Sequence, residues 1–533
     1  MGYHSDESAR EDQYTLKSRS ASVIIAILLS LIMLLALGLR LYRLEAQSLW
    51  YDEGFSLYLA RMDLAEITVH TAADIQPPLY YYLLHFWLGF PGDGEGALRG
   101  LSVLFGVLTV PLIYGVARQL FGSLLAGLLA VLLLTVSPLH IWYSQETRMY
   151  TLLTFLCLLS SYFLLLLVQR ATPHPWPFSP LGEEGRPQGG QGEGGFREAG
   201  RVRGELVLWI AFTLTNIAAL YTHYFACFVL AVQAIYLVLV WWGKGFRPAR
   251  LILGGLASGA VTILAYLPWL PHLLTRYGAD VSYWPGRLKL PRVLLDIAIF
   301  FVGGESVPEP VGILLAIGYV LVFICCLLAL LFYAAYHPEL TEGRIAQHYI
   351  LPASYYPLLF LLLYFLLPPA LILALSYNSP KFNVRYVMVS YPPLLLLLAG
   401  GLAALWQRRS SYLGNLFRWL LAVLSLVFLL GVSAYADYSA YTDPAFARAD
   451  FRGVARYIRK RIEADETIIL CSGHMFPVFD YYAPGMERHL LPDSPTLDTT
   501  RTLDYSIAAD LNRWLTGRGG VWVVLWQDEA VDP

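Results

Sequence analysis

Of the chain's 533 residues, 57% are hydrophobic and only 14% charged, which excludes a soluble enzyme, because soluble domains carry nearer a quarter charged residues. A formal net charge of −2 supplies no basic field for nucleic acid. The cysteines Cys157, Cys227, Cys325, Cys326 and Cys471 are scattered, four of them in apolar runs, and form neither a disulfide framework nor a zinc spacing.

Residues 1–21 are a polar tail carrying Arg10, Lys17 and Arg19, and the stretch from Ser22 to Leu39 has no charge. That stretch is longer than a signal-peptide core and no small-residue cleavage site follows it, so it reads as a retained anchor. A helix needs about 20 apolar residues to cross a bilayer. The pattern predicts eleven spans: 22–42, 98–117, 123–143, 149–168, 205–222, 224–242, 250–270, 311–333, 353–375, 386–406 and 417–435. Loop cations set the orientation. Their excess falls on one side, with Arg118, the arginines between 170 and 203, Lys244, Arg247, Arg408 and Arg409 joining the N-terminal tail, which places the N-terminus in the cytoplasm.

Between the first two spans, 43–97 forms the first outer loop. Within it, Pro77–Phe90 is too short to span, opens on two prolines and is dense in Tyr and Trp, which fits a helix in the membrane interface. Residues 169–204, rich in Gly and Pro, read as a disordered cytoplasmic linker. The long outer loop 271–310 holds a short apolar stretch at 293–302, suited to a re-entrant or surface helix. From 436 to 533 the composition changes: a helix is expected at 444–463, a strand at 467–471, a helix at 503–515 and a strand at 521–526. The fold class is therefore an all-α polytopic membrane protein with about eleven spans, 22–435, and a small extracytoplasmic α/β unit.

In this topology the unusual polar residues share the outer side. The adjacent carboxylates Asp52 and Glu53 follow the first span, Asp74 precedes the interfacial helix, Glu146 and Arg148 join the third and fourth spans, His223 ends the fifth, and Lys381 and Arg385 begin the tenth. Singly, each has a plainer reading: acids at membrane exits are solvated flanks, Arg148 and Arg385 are snorkelling anchors, and His223 is a hydrogen-bonded interfacial side chain. Their convergence at one membrane level points to a pocket, because charge at that depth is expensive. A carboxylate there can take a proton from a hydroxyl, and cations can hold a phosphate as its charge grows. A carboxylate–imidazole pair such as Asp74 and His223 can bind a divalent metal doing the same work.

At these residues the chain resembles the GT-C membrane glycosyltransferases, in particular glycosyltransferase family 39, the protein O-mannosyltransferases and the lipid A aminoarabinose transferase. The resemblance runs from about residue 22 to 435. It rests on the Asp52–Glu53 pair, DIQPPLYY from Asp74, RGLSVLFGVLTVP from Arg99, SPLHIWYSQETRMY at 137–150, THYF at 222–225, and Arg385–Tyr386 followed by YPP. It implies a GT-C-like fold, a polyprenyl-phosphate-linked sugar donor, and transfer with inversion to an acceptor hydroxyl on the outer face of a bacterial plasma membrane. By the same resemblance Asp52 is the catalytic base, Glu53 its acidic neighbour and Glu146 the second acidic position. Arg148, Lys381, Arg385 and Tyr386 become donor-binding candidates. Gln76, also a binding candidate, stands where some relatives carry a lysine. Asp74 and His223 match positions that hold a metal in some relatives and not in others, so a metal cofactor is left open. The acceptor is a protein, a glycolipid or a polymer. Two rivals stand beside this reading: a transporter or flippase of lipid-linked sugars, and a receptor with the C-terminal unit as sensor. The charge-free spans and the lack of an internal repeat count against the transporter.

Overall fold

A computed structural model describes residues 23–74, 76–171, 194–243, 249–279, 288–336, 355–377, 382–407, 412–493 and 507–526. The first apolar run forms α1 (Val23–Leu41). Three short helices follow, α2 (Tyr51–Ala60), α3 (Leu64–Ala73) and α4 (Leu79–Leu88). A bundle comes next: α5 (Glu95–Phe121), α6 (Leu124–Thr135), α7 (Pro138–Ser144), α8 (Tyr150–Ala171), α9 (Gly194–Thr222), α10 (Ala226–Gly243) and α11 (Ala249–Tyr266). Two shorter helices, α12 (Leu270–Ala279) and α13 (Leu290–Gly303), lead to α14 (Glu309–Tyr336), α15 (Tyr356–Ser376), α16 (Tyr391–Gln407) and α17 (Tyr412–Thr442). Among the described residues ten helices are long and apolar enough to cross a membrane, and the bent pair α6–α7 makes eleven when taken as one span.

That pair turns through 56°. Proline cannot continue a helix, and Pro138 follows Ser137, whose side chain caps the new helix by accepting from the His140 N–H at 3.1 Å. The break would strand carbonyls in an apolar bundle. Arg40, fully buried at the end of α1, donates to Leu134 O at 3.2 Å and Thr135 O at 3.3 Å, and lies 2.9 Å from His140 Nδ1. The bend is thus sealed by protein, as backbone at this depth requires.

Several expectations change in detail. Helix α4 lies within Pro77–Phe90, but Tyr80, Tyr81 and Leu84 are buried in protein, so that face does not lie on a lipid interface. The linker expected over 169–204 narrows, because α8 runs to Ala171 and α9 is already helical at Gly194. Its middle, 172–193, lies outside the described residues. The 293–302 stretch belongs to α13, which buries Val293, Ile297, Phe300 and Phe301 against the bundle. Helix α17 continues past 435 to Thr442, so the C-terminal unit starts after it.

That unit comprises α18 (Phe451–Arg459), β1 (Glu466–Cys471), α19 (Phe476–Tyr482), β2 (Arg488–Leu491), α20 (Ile507–Leu515) and β3 (Gly520–Leu525). The helix expected over 444–463 is shorter, because Asp450 caps it by accepting from the Gly453 N–H and Pro444 opens a separate 3-10 turn. Its sheet has the order β2-β1-β3, all parallel, with Ile469 paired to both His489 and Val523. Parallel neighbours need crossover connections, and α19 and α20 supply them. Neither α19 nor β2 is expected from the sequence, since each is too short to show a period.

Candidate active site

The first loop folds so that α2 starts at Tyr51, which puts Asp52 and Glu53 in its first turn, where the helix dipole favours negative charge. Consecutive helical residues do not face the same way, and the pair is split between two environments.

Glu53 points inward and is fully buried. Arg99, at the start of α5, grips it with Nε on Oε1 and Nη2 on Oε2, both at 2.8 Å. The Thr147 N–H donates to Oε1 at 3.0 Å and Arg448 to Oε2 at 3.1 Å. Burial alone would push this carboxyl up, but Arg99 and Arg448 outweigh it and hold Glu53 at about 2. Arg99 also donates to the carbonyls of Leu44, Gln47 and Ser48, which fixes the loop leading into α2.

Asp52 faces the other way and keeps 18% of its side chain exposed. Its Oδ2 accepts from Arg385 at 2.8 Å, and Arg148 Nε lies 3.8 Å away. Burial raises this carboxyl too, yet Arg148 and Arg385 bring it below its ordinary value. Arg385, from the 3-10 turn Val384–Ser390, lies over the rings of Trp50 and Tyr150.

Glu146, in the turn between α7 and α8, is 2% exposed. Its Oε2 accepts from Arg448 at 3.1 Å, and its Oε1 is buried with no hydrogen-bond partner among the described residues. Burial dominates here and pushes the carboxyl up to about 7; Arg448 and Arg385 oppose it, and Glu53 and Asp52 add repulsion. A group poised near neutrality can give or take a proton.

His223 sits between α9 and α10, with its ring beside Tyr386, whose centroid is 5.7 Å away. Burial, and then Arg148, push the imidazole down to about 3, so it is neutral. Its Nδ1 accepts the Phe225 N–H at 3.2 Å, which puts the ring proton on Nε2. A metal at Nε2 would need a lone pair there. Among the described residues no group of three His, Cys, Asp or Glu side chains gathers to hold an ion. Asp74 caps the end of α3, and its charge reaches Tyr81. Among the described residues, Asp74 and His223 therefore do not form a donor set that fits a metal.

The structure therefore brings Asp52, Glu53, Glu146, Arg148 and Arg385 together, with His223 and Tyr386 on one flank. Gln76 is buried just ahead of α4, and Lys381 lies outside the described residues. Among the described residues, the buried polar atoms with no protein hydrogen bond include Tyr81 Oη, Glu146 Oε1, Arg148 Nε and His223 Nε2 around this site, with others spread through the bundle. Each such atom costs about 1–3 kcal/mol unless water or a ligand satisfies it, which leaves Glu146 Oε1 and Arg148 Nε able to take a further polar contact. Sequence reasoning missed two cations. Arg99 is visible as a charge at the start of an apolar span, which calls for a counter-ion. Arg448 sits in a polar stretch, 395 residues from Glu53, and carries no local signal.

A family model for dolichyl-phosphate-mannose-protein mannosyltransferase matches residues 75–181, a segment holding Gln76, Arg99, Glu146 and Arg148. No curated protein matches the chain in sequence. Among solved structures, the oligosaccharyltransferase AglB of Archaeoglobus fulgidus, in complex with an inhibitory peptide and a dolichol-phosphate, superposes with a TM-score of 0.53 at 12% identity, covering 90% of this chain and 66% of that one. An Archaeoglobus fulgidus oligosaccharyltransferase tethered to an acceptor peptide containing the NVT sequon gives 0.52 at 13% identity, covering 90% of this chain and 65% of that one. The chain thus spans about two thirds of the length of that oligosaccharyltransferase. ArnT of Cupriavidus metallidurans, in the apo state, gives 0.52 at 13% identity and covers 94% of this chain and 92% of its own. The chain is an integral membrane protein with the GT-C fold of these glycosyltransferases.

Proposed function

We propose that this protein is a glycosyltransferase that moves a sugar from a polyprenyl-phosphate carrier to an acceptor hydroxyl on the outer face of the membrane, with inversion. One observation carries the reading: Asp52 is an anionic, partly exposed carboxylate set between two guanidiniums, while its neighbour Glu53 is fully engaged. Asp52 takes the proton of the acceptor hydroxyl. The acceptor oxygen then forms its bond to the anomeric carbon as the bond from that carbon to the phosphate oxygen breaks, and the electron pair leaves with the polyprenyl phosphate.

Arg148 and Arg385 stabilise that leaving charge. They also lower Asp52, which would make it a weak base if nothing else changed. An incoming phosphate competes for both guanidiniums, and as they turn to it the carboxylate recovers its basicity. Donor binding and base activation are thereby coupled. Glu53 has its acceptor sites filled, so its part is to fix α2 rather than to exchange protons. The matched proteins support such a carrier, since the Archaeoglobus oligosaccharyltransferase is in complex with a dolichol-phosphate and the matched family is that of dolichyl-phosphate-mannose-protein mannosyltransferase. The positive-inside pattern supports a cytoplasmic N-terminus and a site at the outer end.

A flippase would expose polar groups of broken helices to a pathway near the midplane. The break between α6 and α7 instead spends its carbonyls on Arg40. The test is transfer from a labelled polyprenyl-phosphate sugar by purified Asp52→Asn and Asp52→Ala variants. Both should lose about 10²-fold or more in rate; wild-type rates in both would overturn the role of Asp52.

A further inference from the structure

The C-terminal unit packs directly on the helix that carries the acidic pair. A Cβ added at Gly54 would lie 2.5 Å from Val478 Cβ, so α2 and α19 meet at a position only glycine allows. Tyr51 packs its ring against His474 and Trp526, and Tyr58 against Phe476. The Leu49 N–H donates to Tyr482 Oη at 2.6 Å, and that hydroxyl donates to Glu95 Oε1 at 2.6 Å. Arg452 adds an ion pair to Glu95.

The end of α17 and the segment joining it to α18 are fastened to the first loop at successive points. Arg43 donates to Tyr441 O at 2.8 Å, the Arg448 N–H to Gln47 Oε1 at 3.1 Å, and Ser48 Oγ to Ala449 O at 2.9 Å. These ties aim the Arg448 side chain into the acid cluster, where its two terminal nitrogens bridge Glu53 Oε2 and Glu146 Oε2, each at 3.1 Å. The rings of Trp50 and Trp142 flank the guanidinium at 5.8 and 5.1 Å. Two buried carboxylates that would repel are joined through one cation, and the bridge engages one oxygen of Glu146 while leaving Oε1 without a hydrogen-bond partner among the described residues.

We infer that the C-terminal unit is a working part of the transfer site: it delivers Arg448 as a positioning residue that holds Glu146 against Glu53, so that the free Glu146 oxygen can accept a hydrogen bond from a substrate hydroxyl. This rests on the reading of the site as one for glycosyl transfer. The groups facing Glu146 are Arg448, Arg385, Glu53 and Asp52, with Tyr143 and Tyr150 beside it.

The experiment uses the full-length protein in lipid nanodiscs, with Arg448→Ala, Arg448→Lys, Glu146→Gln and the double variant Arg448→Ala/Glu146→Gln. Transfer from a polyprenyl-phosphate sugar is measured against pH, and the Glu146 carboxyl is titrated by infrared difference spectroscopy. Arg448→Ala should lower kcat about 10²-fold, as a misplaced group does, with little change in donor KM, and Arg448→Lys should recover part of it. In the Glu146→Gln background the arginine substitution should cost little more. That background also lacks one of the buried acids, so it keeps the comparison open if Arg448→Ala alone misfolds. Loss of Arg448 removes an attraction for the ionised carboxylate, so both the Glu146 infrared titration and the pH limb it sets should move to higher pH.

Wild-type kcat and pH profile in Arg448→Ala, or full additivity in the double variant, would overturn the inference. So would a loss that follows melting temperature and that lysine does not rescue. If the wild-type protein transfers sugar from no polyprenyl-phosphate donor, the glycosyltransferase reading fails on its own. The infrared titration still decides the role of Arg448, because an unchanged Glu146 titration in Arg448→Ala overturns it.

Discussion

Asp52 and Glu53 are adjacent in the chain and end in opposite environments. Glu53 lies on the closed side, gripped by Arg99, Arg448 and the Thr147 N–H, with no exposure. Asp52 lies on the open side, paired more loosely with Arg385 and Arg148 and still accessible. The two differ in hydrogen-bond saturation rather than in charge, since cations flank both. A carboxylate with its acceptor sites filled holds a helix in place; one with room left can meet a substrate.

The largest effect expected of this division is on chemistry. Asp52→Asn keeps the shape and removes the base, so transfer should fall by about 10²–10⁴-fold while thermal unfolding stays near wild type. On the closed side the loss should be one of folding. Arg99→Ala strands a buried Glu53, and breaking such a pair costs about 3–5 kcal/mol. Thermal unfolding and yield should both drop, and Arg99→Ala/Glu53→Gln should recover part of the loss. Back on the open side, Arg385→Ala removes one charge-assisted contact, worth about 1.5–3 kcal/mol. Donor KM should rise by one to two orders of magnitude, with unfolding little changed.

Gly54→Ala tests the seam behind the pair. The new methyl meets Val478 backbone and side chain, and such overpacking costs about 1–3 kcal/mol. Limited proteolysis should then release the C-terminal unit sooner than in wild type.

The smallest effects are in pH dependence, where the closed side divides again. Glu53 is held at about 2 against an ordinary 4.5. Its stabilising contribution is therefore complete above pH 4.5 and disappears as pH falls toward 2. Glu146 is raised from 4.5 to about 7. Its contribution is complete below pH 4.5 and is lost as pH rises through 7. Thermal unfolding across this range should show Glu53→Gln weakest relative to wild type near neutrality, the gap closing in acid. Glu146→Gln should flatten the decline between pH 4.5 and 7.

The spans were legible because crossing an apolar layer takes a long uncharged run, and nothing else in the chain imitates one. The break at Ser137–Pro138 carries a local signal of cap and proline, but its seal by Arg40 does not, since a charge next to an apolar run looks like an anchor until its partners are known. The acid pair was legible as two charges beside a membrane exit. Its division was not, because only the start of α2 at Tyr51 decides which carboxylate turns inward. Arg448 was beyond reach for a related reason. Its partners Glu53 and Glu146 are separated from it by nearly the whole bundle in sequence, and the ties that aim it, from Gln47 and Ser48, form only once the C-terminal unit is docked. The length of β2, four residues, likewise left this edge strand and its pairing with β1 unseen.

The division between the two carboxylates is tested most directly by one comparison: the rate of sugar transfer per folded molecule for Asp52→Asn and for Glu53→Gln, each normalised to the fraction that melts cooperatively. The account predicts a loss of about 10²-fold or more for Asp52→Asn, and for Glu53→Gln a smaller folded fraction whose molecules turn over much nearer the wild-type rate. A Glu53→Gln protein that is fully folded but inactive, beside an active Asp52→Asn, would contradict it.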